Sequence, residues 1–373
     1  MQLSVDRAEF ADLVAWVAKA AERRTTLPIL TNLCLDAQEG RLVVSATNLE
    51  VHHRGEIAAT VDQAGAVLAP AAKLAELARA AVGERVSLDL AGDQLRVVFG
   101  GSKYHLPTLP AQDFPAAPVL KDPKRLHWDG ETLDYVLDTV AVSINNDDPR
   151  YRIQGALLAA GPEGSGKVLF VSTDGRRLTK LERANSAAAS LGQTRYLLPA
   201  LAIAALRGLL GRKAGEVVLD LSPKFAALTA GAGRTVTAQL GEGDFPNWEV
   251  VVPKNPPIRA TLRRLDLLAA ARRALIMADA KVPVVVLDLA PGSLVLRAEG
   301  NEAGAGEELL PAACERSLSI HTNGRHIVDA LEHMASEEIQ LDLTDPLNPL
   351  LISALGDPGT LFITMPFPPS KQA

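Results

Sequence analysis

The sequence predicts an α+β protein of three similar domains, each a mostly antiparallel sheet with two helices. A pattern of helix, strand pair and helix occurs three times, about 125 residues apart, which suits a small domain. The strands do not alternate with helices as βαβ units do, which favours antiparallel sheets. Proline-rich joints lie at 107–123 and 246–257. We therefore predict domains over residues 1–122, 123–252 and 253–373.

Each copy opens with an amphipathic helix, predicted over residues 7–22, 130–144 and 264–278. Apolar residues recur with helical spacing, which predicts one buried face per helix. The apolar stripes comprise Phe10, Leu13, Val14 and Val17 in the first helix, Leu133, Val136, Leu137 and Val140 in the second, and Leu268, Ala271, Leu275 and Ile276 in the third.

A strand pair and a second helix complete each copy. Alternating or wholly apolar runs around a glycine-containing turn predict the strands. The second helices begin after Pro70, Pro199 and Asn323, and proline suits the first turn of a helix. The predicted strand pairs are Asn32–Asp36 with Arg41–Thr47, Gln154–Ala159 with Lys167–Thr173, and Val284–Asp288 with Ser293–Ala298.

Composition limits the classes of function. The 373 residues carry a net charge of −6, which argues against a generally basic DNA coat but allows a local basic patch. Aromatic residues make up 4% of the chain, so rows of stacked bases are not expected. No apolar run reaches membrane-spanning length, and the first residues lack a signal-peptide pattern. We expect a cytoplasmic protein that does not contact a membrane.

One segment, Gly161–Val168, nearly matches the phosphate-binding pattern G-x-x-x-x-G-K-[ST]. Val168 occupies the position that needs a hydroxyl group for Mg²⁺, and the context is strand–turn–strand rather than strand–helix. The segment is therefore interpreted as a hairpin tip.

No other motif predicts a catalytic centre, metal site or cofactor. His52 and His53 are adjacent on a strand and point to opposite faces, so they cannot bind one ion together. Cys34 and Cys314 stand in apolar settings typical of reduced core cysteines. The cluster Asn145–Asp148 precedes a proline and indicates a turn that ends a helix.

Three separate segments, two of them mainly apolar and one with two arginines, suit the binding of a partner peptide. Ser172–Leu178 ends a buried strand with an Asp-Gly turn and then presents two arginines and a leucine. Asp244–Pro253 is an apolar loop stiffened by proline near both ends. Leu361–Phe367 is an apolar strand near the end of the chain, which should complete a sheet or line an adaptable groove.

Together with two earlier motifs, these segments resemble the bacterial DNA polymerase III beta sliding clamps along the whole chain. The motifs occur in the family's order at Thr26–Leu30, Thr108–Pro115, Ser172–Leu178, Phe245–Pro253 and Thr364–Phe367. The resemblance implies a non-catalytic ring that holds the replicative polymerase on its template. Two three-domain protomers would join head to tail and close by rotation around duplex DNA.

The resemblance also implies a groove for partner peptides between the second and third domains. The expected partners are the polymerase III alpha subunit, clamp-loader subunits and other proteins with a clamp-binding motif. The family usually ends in Met-Pro-Met-Arg-Leu, whereas this chain continues from Met365 as Pro-Phe-Pro-Pro-Ser-Lys-Gln-Ala, so the groove's rim should differ. The implied groove residues are Arg150, Ile153, Thr173, Gly175, Arg176, Arg177, Leu178, Pro246, Val251, Asn323, His326, Leu347, Pro349, Ile363, Met365 and Pro366.

Contacts to DNA follow from the resemblance at fewer positions. Phosphate contacts are independent of base sequence and weaken with salt, as a sliding protein requires. The implied DNA-contacting residues are Arg24, Lys73, Arg79, Tyr151 and Arg152. Polar or basic residues of relatives are replaced by Ala72, Asp147, Ala200 and Leu201, which predicts weak DNA binding.

The motif order further implies an interface between the third domain of one protomer and the first domain of its partner. Leu275 and Ile276 would pack near Tyr104 and Leu106, with apolar contact dominating because exposed ion pairs contribute only about 0–1 kcal/mol each. The charged residues expected to face each other are Glu299, Glu302, Glu307 and Glu308 on one side, and Lys73, Arg96 and Lys103 on the other.

Two alternatives remain open from the residues. The first is a small-molecule enzyme that uses Asp147–Asp148 and Asp174–Arg177, for which a compact monomer with a deep polar pocket is expected. The second is a peptide-binding scaffold that shares the groove but forms no ring and is not loaded on DNA.

Overall fold

The computed structural model describes residues 1–144, 155–211, 215–231, 233–300 and 304–368, and shows one arrangement three times. The first copy contains β1 (Gln2–Asp6), α1 (Arg7–Val17), β2 (Asn32–Gln38), β3 (Arg41–Thr47), β4 (Val51–Gln63), β5 (Gly65–Pro70), α2 (Ala71–Ala80), β6 (Arg85–Ala91), β7 (Gln94–Phe99), β8 (Ser102–Pro107) and β9 (Leu109–Pro110). The second contains β10 (Lys124–Asp129), α3 (Gly130–Ala141), β11 (Gly155–Ala160), β12 (Lys167–Thr173), β13 (Arg177–Ala184), β14 (Tyr196–Pro199), α4 (Ala200–Leu209), β15 (Glu216–Leu221), β16 (Phe225–Ala230) and β17 (Arg234–Gln239). The third contains β18 (Ile258–Arg263), α5 (Arg264–Met277), β19 (Val284–Ala290), β20 (Ser293–Gly300), β21 (Gly304–Pro311), β22 (Ala313–Cys314), β23 (Leu318–Asn323), α6 (Gly324–Glu332), β24 (Glu338–Leu343), β25 (Leu350–Ala354) and β26 (Asp357–Thr364).

The predicted α+β class and the threefold repeat are confirmed. Every strand pairing within the described residues is antiparallel, and two helices occur in each copy. None of the described helices is long and apolar enough to cross a membrane.

The first helix is shorter than predicted. Its start is capped by Asp6, whose carboxylate accepts hydrogen bonds from the backbone N–H groups of Ala8 and Glu9. Its end differs from the predicted residue 22, because the chain tightens into a 3₁₀ turn at Ala18–Ala20. The N–H of Glu22 then donates to the carbonyl of Leu30, a long-range bond that helical periodicity does not reveal.

The helical stripes explain where the core lies. Phe10, Leu13, Val14 and Val17 are all fully buried, and so are the four stripe residues of α3. In α5 the stripe is only partly covered, because Ile276 remains 73% exposed. Ile276 therefore lies outside the core of its unit.

The chain divides into two compact units that do not follow the boundaries of the repeats. Unit 1 comprises Met1–Asp134 and Leu201–Gly241. Its 13-stranded sheet follows the order β10-β15-β16-β17-β4-β1-β6-β7-β8, with β2, β3, β5 and β9 branching from this path. The junction between copies is the pairing of β17 with β4, from Thr235 opposite Arg54 to Ala238 opposite Val51.

Unit 2 comprises Tyr135–Ala200 and Glu242–Ala373, and it holds two sheets. The larger follows the order β14-β11-β12-β13-β26-β25-β24-β18-β22, and the smaller follows β21-β20-β19-β23. β13 pairs with β26 from Arg177 opposite Thr364 to Leu181 opposite Thr360, so a strand near the chain's end extends a sheet begun in the second copy.

The hairpin tip, the two cysteines and the two adjacent histidines each have defined surroundings in the structure. Gly161–Val168 forms a hairpin tip, where the Gly161 N–H donates to the Lys167 carbonyl at 2.8 Å. Both cysteines are free, and burial, followed by the nearby Asp36 charge, raises the pKa of Cys34 to about 11. His52 and His53 are both buried neighbours on β4, and burial lowers the pKa of each to about 4.

Candidate functional site

An apolar cavity of about 280 Å³ opens on one face of the nine-stranded sheet in unit 2. Residues of the three segments highlighted by the sequence meet there, although they are far apart in the chain. The lining comprises Thr173, Gly175, Arg177, Leu178, Pro246, Asn247, Trp248, Val251, Ile363 and Met365. A concave apolar surface with a few polar groups at its edge is the usual form of a binding site.

Strand register places the cavity's floor. Leu178 lies opposite Ile363 in the β13–β26 pair, and Ile363 lies opposite Leu351 in the β25–β26 pair. Directly opposed residues of antiparallel strands point to the same face of a sheet. These side chains therefore form a continuous buried floor, and they belong to one apolar cluster.

The turn that borders the cavity is held by its own side chains. One Asp174 carboxylate oxygen accepts hydrogen bonds from the N–H groups of Arg176 and Arg177, each at 2.9 Å. The Thr173 hydroxyl accepts from the Gly175 N–H at 3.1 Å and donates to the Arg177 carbonyl at 2.8 Å. Gly175 has a φ of 81°, a conformation that favours glycine. The turn is therefore a preformed wall.

The two adjacent arginines differ in direction. The Arg177 guanidinium pairs with Asp174 at 2.9 Å and with Asp329 of α6 at 2.5 Å, and it lines the cavity. Arg176 is exposed and does not line it. Its backbone still contributes, because the Arg176 carbonyl accepts a hydrogen bond from the Met365 N–H at 2.8 Å.

The proline-rich joint predicted near 246–257 is not a free linker. Phe245 is buried in the apolar cluster on the sheet face, and Trp248 and Val251 pack against the same cluster. A short 3₁₀ turn spans Trp248–Val251. Asn247 and Trp248 therefore also line the cavity, although neither was a predicted groove residue. Both residues belong to the sequence motif that begins at Phe245, and this position could have identified them as lining residues.

A polar cluster lies beside the cavity at the start of α6. The Asn323 side chain caps this helix by accepting from the Arg325 N–H at 2.9 Å. The His326 Nδ1 lies 2.9 Å from the Thr364 hydroxyl, which lies 3.1 Å from that of Thr322. Burial, followed by the positive Arg177, lowers the pKa of His326 to about 4. His326 is therefore neutral near pH 7, with an imidazole suited to neutral hydrogen-bond partners.

The remaining groove residues lie in varied settings. Leu347 is largely exposed, Pro349 is buried and Pro366 is half-buried, and none of them lines the cavity. Beyond β26 the chain continues to bond, since the Phe367 N–H donates to the His321 carbonyl at 2.8 Å. Arg150 and Ile153 lie outside the described residues.

Three of the residues assigned to DNA are exposed in unit 1. Arg24 lies in the loop before the short 3₁₀ turn at Pro28–Thr31, and Lys73 and Arg79 lie on α2. Lys73 pairs with Glu76 at 2.9 Å, so its charge is partly neutralised. Tyr151, Arg152 and Asp147 lie outside the described residues.

Residues assigned to an interface lie in two regions, one at β7 and β8 of unit 1 and one at α5, β20 and β21 of unit 2. On β8, the last strand of its sheet, Tyr104 and Lys103 are exposed, whereas Leu106 is only 8% exposed. Arg96 of the neighbouring β7 already pairs with Asp89.

In the region on unit 2, Ile276 of α5 is exposed and Leu275 is half-buried against the core. Glu299 and Glu307 are exposed, whereas Glu308 pairs with Arg273 of its own chain at 2.7 Å. That hydrogen bond lowers the pKa of Glu308. Glu302 lies outside the described residues.

Comparison with protein-family models finds three matches in chain order. Residues 1–118 match the N-terminal domain of the DNA polymerase III beta subunit, residues 128–247 match its central domain and residues 249–368 match its C-terminal domain.

Full-length relatives show the same likeness. A beta sliding clamp from Caulobacter vibrioides strain NA1000 is 33% identical over 374 residues, which cover 98% of this chain and 99% of the relative. A beta sliding clamp from Streptomyces coelicolor is 29% identical over 365 residues, covering 95% of this chain and 94% of the relative.

Solved structures agree over nearly the whole chain. The beta sliding clamp of Caulobacter crescentus superposes with a TM-score of 0.93 at 30% identity, covering 99% of both chains. A sliding clamp from Pseudomonas aeruginosa, solved bound to griselimycin, gives a TM-score of 0.92 at 26% identity and the same coverage of 99% for each chain.

The low pKa of His326 predicts a pH-dependent stability. Because the folded state resists protonation, stability is full above the unfolded pKa of 6.5 and falls as the pH drops toward about 4. At pH 5 this single group costs about 2 kcal/mol relative to pH 7.5. Urea unfolding measures the free energy of unfolding at both pH values. The loss of this free energy between pH 7.5 and pH 5 should be smaller by about 2 kcal/mol in His326→Gln than in the unmodified chain. If the free energy of unfolding changes between pH 7.5 and pH 5 by the same amount in the variant as in the unmodified chain, His326 is not the group responsible.

Proposed function

We propose that this chain, which belongs to the DNA polymerase III beta sliding clamp family, joins a second copy head to tail and closes around duplex DNA. The ring would contain six domains, three from each protomer, over residues 1–122, 123–252 and 253–373. This arrangement is a heterologous interface that closes by rotation.

Beta sliding clamps are the non-catalytic processivity subunits of DNA polymerase III, and this is the function of the family to which the chain belongs. A polymerase that lets go of its template while bound to such a ring is recaptured before it diffuses away, because its effective concentration stays high. We expect the chain to act in the cytoplasm.

The carboxylates available near the cavity argue against the enzyme alternative. Asp174 is occupied by two backbone N–H groups and by Arg177, and Asp329 also pairs with Arg177. A general acid or base needs a lone pair or proton directed at a substrate. Asp147 and Asp148, the other candidates, lie outside the described residues.

The apolar cavity of unit 2 is the observation that supports the binding role most directly. Its floor of Leu178 and Ile363 and its walls of Trp248 and Met365 offer space for large apolar side chains. Burying such an anchor contributes about 1.5–3 kcal/mol, and binding energy concentrates in a few anchors. We propose that the polymerase alpha subunit, clamp-loader subunits and other partners insert a short motif with a glutamine and a Leu-Phe-type pair here.

Met365→Ala tests the cavity. Met365 and Leu355 are both 39% exposed, but only Met365 lines the cavity. Loss of part of an apolar wall should weaken binding of a motif peptide about fivefold or more, whereas Leu355→Ala should leave the affinity unchanged. Fluorescence anisotropy with a labelled peptide measures both. Equal affinities for the two variants would contradict the assignment.

The dimer proposal is supported by two strand edges that end their sheets. β8 is terminal in the sheet of unit 1, and β21 is terminal in the four-stranded sheet of unit 2. Edge strands carry unpaired backbone groups that a second chain can complete. Leu309 on β21 is 71% exposed and Ile276 is 73% exposed, so an apolar surface accompanies the edge. We propose that β8 of one protomer pairs with β21 of its partner.

Ile276→Asp should convert the dimer to monomers, because it places a charge in the apolar part of the interface. Leu275 is a poorer target, since it packs on the core of its own unit. The matched control is Leu265→Asp, the same change at an exposed aliphatic residue near the start of α5. Analytical ultracentrifugation should show monomers only for Ile276→Asp. A dimer that persists would place the interface elsewhere.

The DNA proposal is supported by exposed cations on α2 and in the loop before Thr26. Arg24 and Arg79 are exposed, and neither shows an ion pair among the described residues. Unpaired guanidinium groups are suited to transient phosphate contacts, which a ring that moves along DNA needs.

Arg24→Ala combined with Arg79→Ala should reduce retention on nicked circular DNA. Each lost phosphate contact should make the plot of log affinity against log salt shallower by about 0.9. Arg316→Ala, at an exposed arginine of unit 2, serves as the control. Salt titrations that give the same slope for the double variant and the control would remove both arginines from the DNA surface.

A further inference from the structure

The turn that borders the cavity has a close counterpart in the first repeat. Residues 47–52 connect β3 to β4 with the same register as residues 173–178 connect β12 to β13. The Thr47 hydroxyl donates to the Val51 carbonyl at 2.8 Å and accepts from the Leu49 N–H at 3.0 Å. The turn beside the cavity has the same two bonds, at 2.8 and 3.1 Å.

In this first turn an asparagine replaces the aspartate of the second. The Asn48 side-chain oxygen accepts from the N–H groups of Glu50 and Val51, at 3.2 and 2.7 Å. The Gln239 N–H donates to the Glu50 carbonyl at 2.8 Å, which is the length of the corresponding Met365 bond beside the cavity. A neutral amide is therefore sufficient to hold such a turn and to join it to a strand of the next repeat.

The ion pairs beside the cavity are additional to this shared arrangement. Val51 has the place in the first turn that Arg177 has in the second. β17 and α4 belong to the second repeat as β26 and α6 belong to the third, and α4 contains no carboxylate over Ala200–Leu209. The pairs of Arg177 with Asp174 and Asp329 are therefore not needed to form the turn or the strand junction, and they occur at the turn that lines the cavity.

Arg177 reaches the cavity from the side of the sheet on which α6 packs. Leu178 points to the face that bears the cavity, so its neighbour Arg177 begins on the opposite face. The guanidinium is held at two atoms, with Asp174 at Nε and Asp329 at Nη1. Because a guanidinium is planar, two carboxylates from different elements fix both its position and its plane.

The helix that carries Asp329 is itself fixed. His333 caps the end of α6, where its backbone N–H and its Nδ1 lie 3.3 and 2.7 Å from the Asp329 carbonyl oxygen. The His333 carbonyl accepts a hydrogen bond from the Tyr135 hydroxyl of α3 at 2.7 Å. Asp329 therefore holds the guanidinium from a support that is tied to the second repeat.

We propose that Asp329 is a positioning residue for the partner peptide, because it fixes the Arg177 guanidinium beside the cavity before the peptide arrives. The inference rests on the proposed peptide-binding role of the cavity. Without the Asp329 carboxylate, the guanidinium would keep its contact with Asp174 alone and would be free to rotate about it. Binding would then have to order a long side chain, which lowers affinity.

Asp329→Asn tests this role by fluorescence anisotropy with the labelled motif peptide. The two side chains have nearly the same size and that of Asp329 is 37% exposed, so the variant should fold. Affinity should fall about threefold to tenfold, the scale of ordering one flexible side chain on binding. The matched control is Glu332→Gln on the same helix, where Glu332 is 38% exposed and pairs with Arg272 at 2.7 Å. This control should bind as the unmodified chain does.

The same change in an Arg177→Met background separates positioning from an independent effect of Asp329. Methionine removes the guanidinium but keeps an unbranched apolar side chain at the cavity, so binding stays measurable. Asp329→Asn should then change the affinity by less than about twofold, because residues that act through one another are not additive.

An affinity that Asp329→Asn leaves unchanged, or that falls equally in both backgrounds, would overturn the inference while leaving the cavity's role intact. An equal fall in Glu332→Gln would also overturn it, because the loss of negative charge from α6 would then be the cause. Failure of the motif peptide to bind the unmodified chain would instead overturn the proposed function, and the inference with it.

Discussion

The antiparallel pairing of β13 with β26 is the contact on which the candidate groove depends. It puts Leu178 and Ile363 on one face and carries the chain directly to Met365. Buried backbone groups cannot lose their partners cheaply, so this junction is held by main-chain hydrogen bonds as well as by apolar packing. The cavity is therefore an outcome of sheet architecture rather than of a mobile loop closing over a ligand.

The loop that crosses this sheet face is fixed in turn by the surface beneath it. Phe245 is buried in the sheet's apolar cluster, and Trp248 and Val251 pack on the same cluster. Prolines near both ends reduce the conformations available before folding. Because wall and floor are formed in advance, a partner pays little to order the site when it binds.

Much of the fold could be predicted from local patterns. The spacing of Phe10, Leu13 and Val17 identifies α1, and the same reasoning locates α3 and α5. The end of α1 could not be predicted, because the apolar spacing does not show that the chain tightens into a 3₁₀ turn at Ala18–Ala20.

The candidate site was also predictable only in part. The segments that form it have distinctive residues, so the resemblance located them, and the structure brings many of these residues together in one cavity. The direction of Arg177 could not be predicted, since its partner Asp329 lies on α6, far along the chain. Trp248 belongs to the motif that begins at Phe245, but its lining role was missed because local sequence does not show that the loop folds back over the sheet.

The 13-stranded and nine-stranded sheets also limit where the chain can be divided into independent pieces. The middle repeat pairs with the first through β17 and β4, and with the third through β13 and β26. A fragment that contained only the middle repeat would expose β17 and β13 as unpaired edge strands. Each exposed edge could pair with another chain and cause aggregation. The three repeats therefore cannot be separated at their boundaries without exposing these strands. The repeats look like separate modules in the sequence. Moving the middle repeat into another protein would nevertheless require the first and third repeats to move with it.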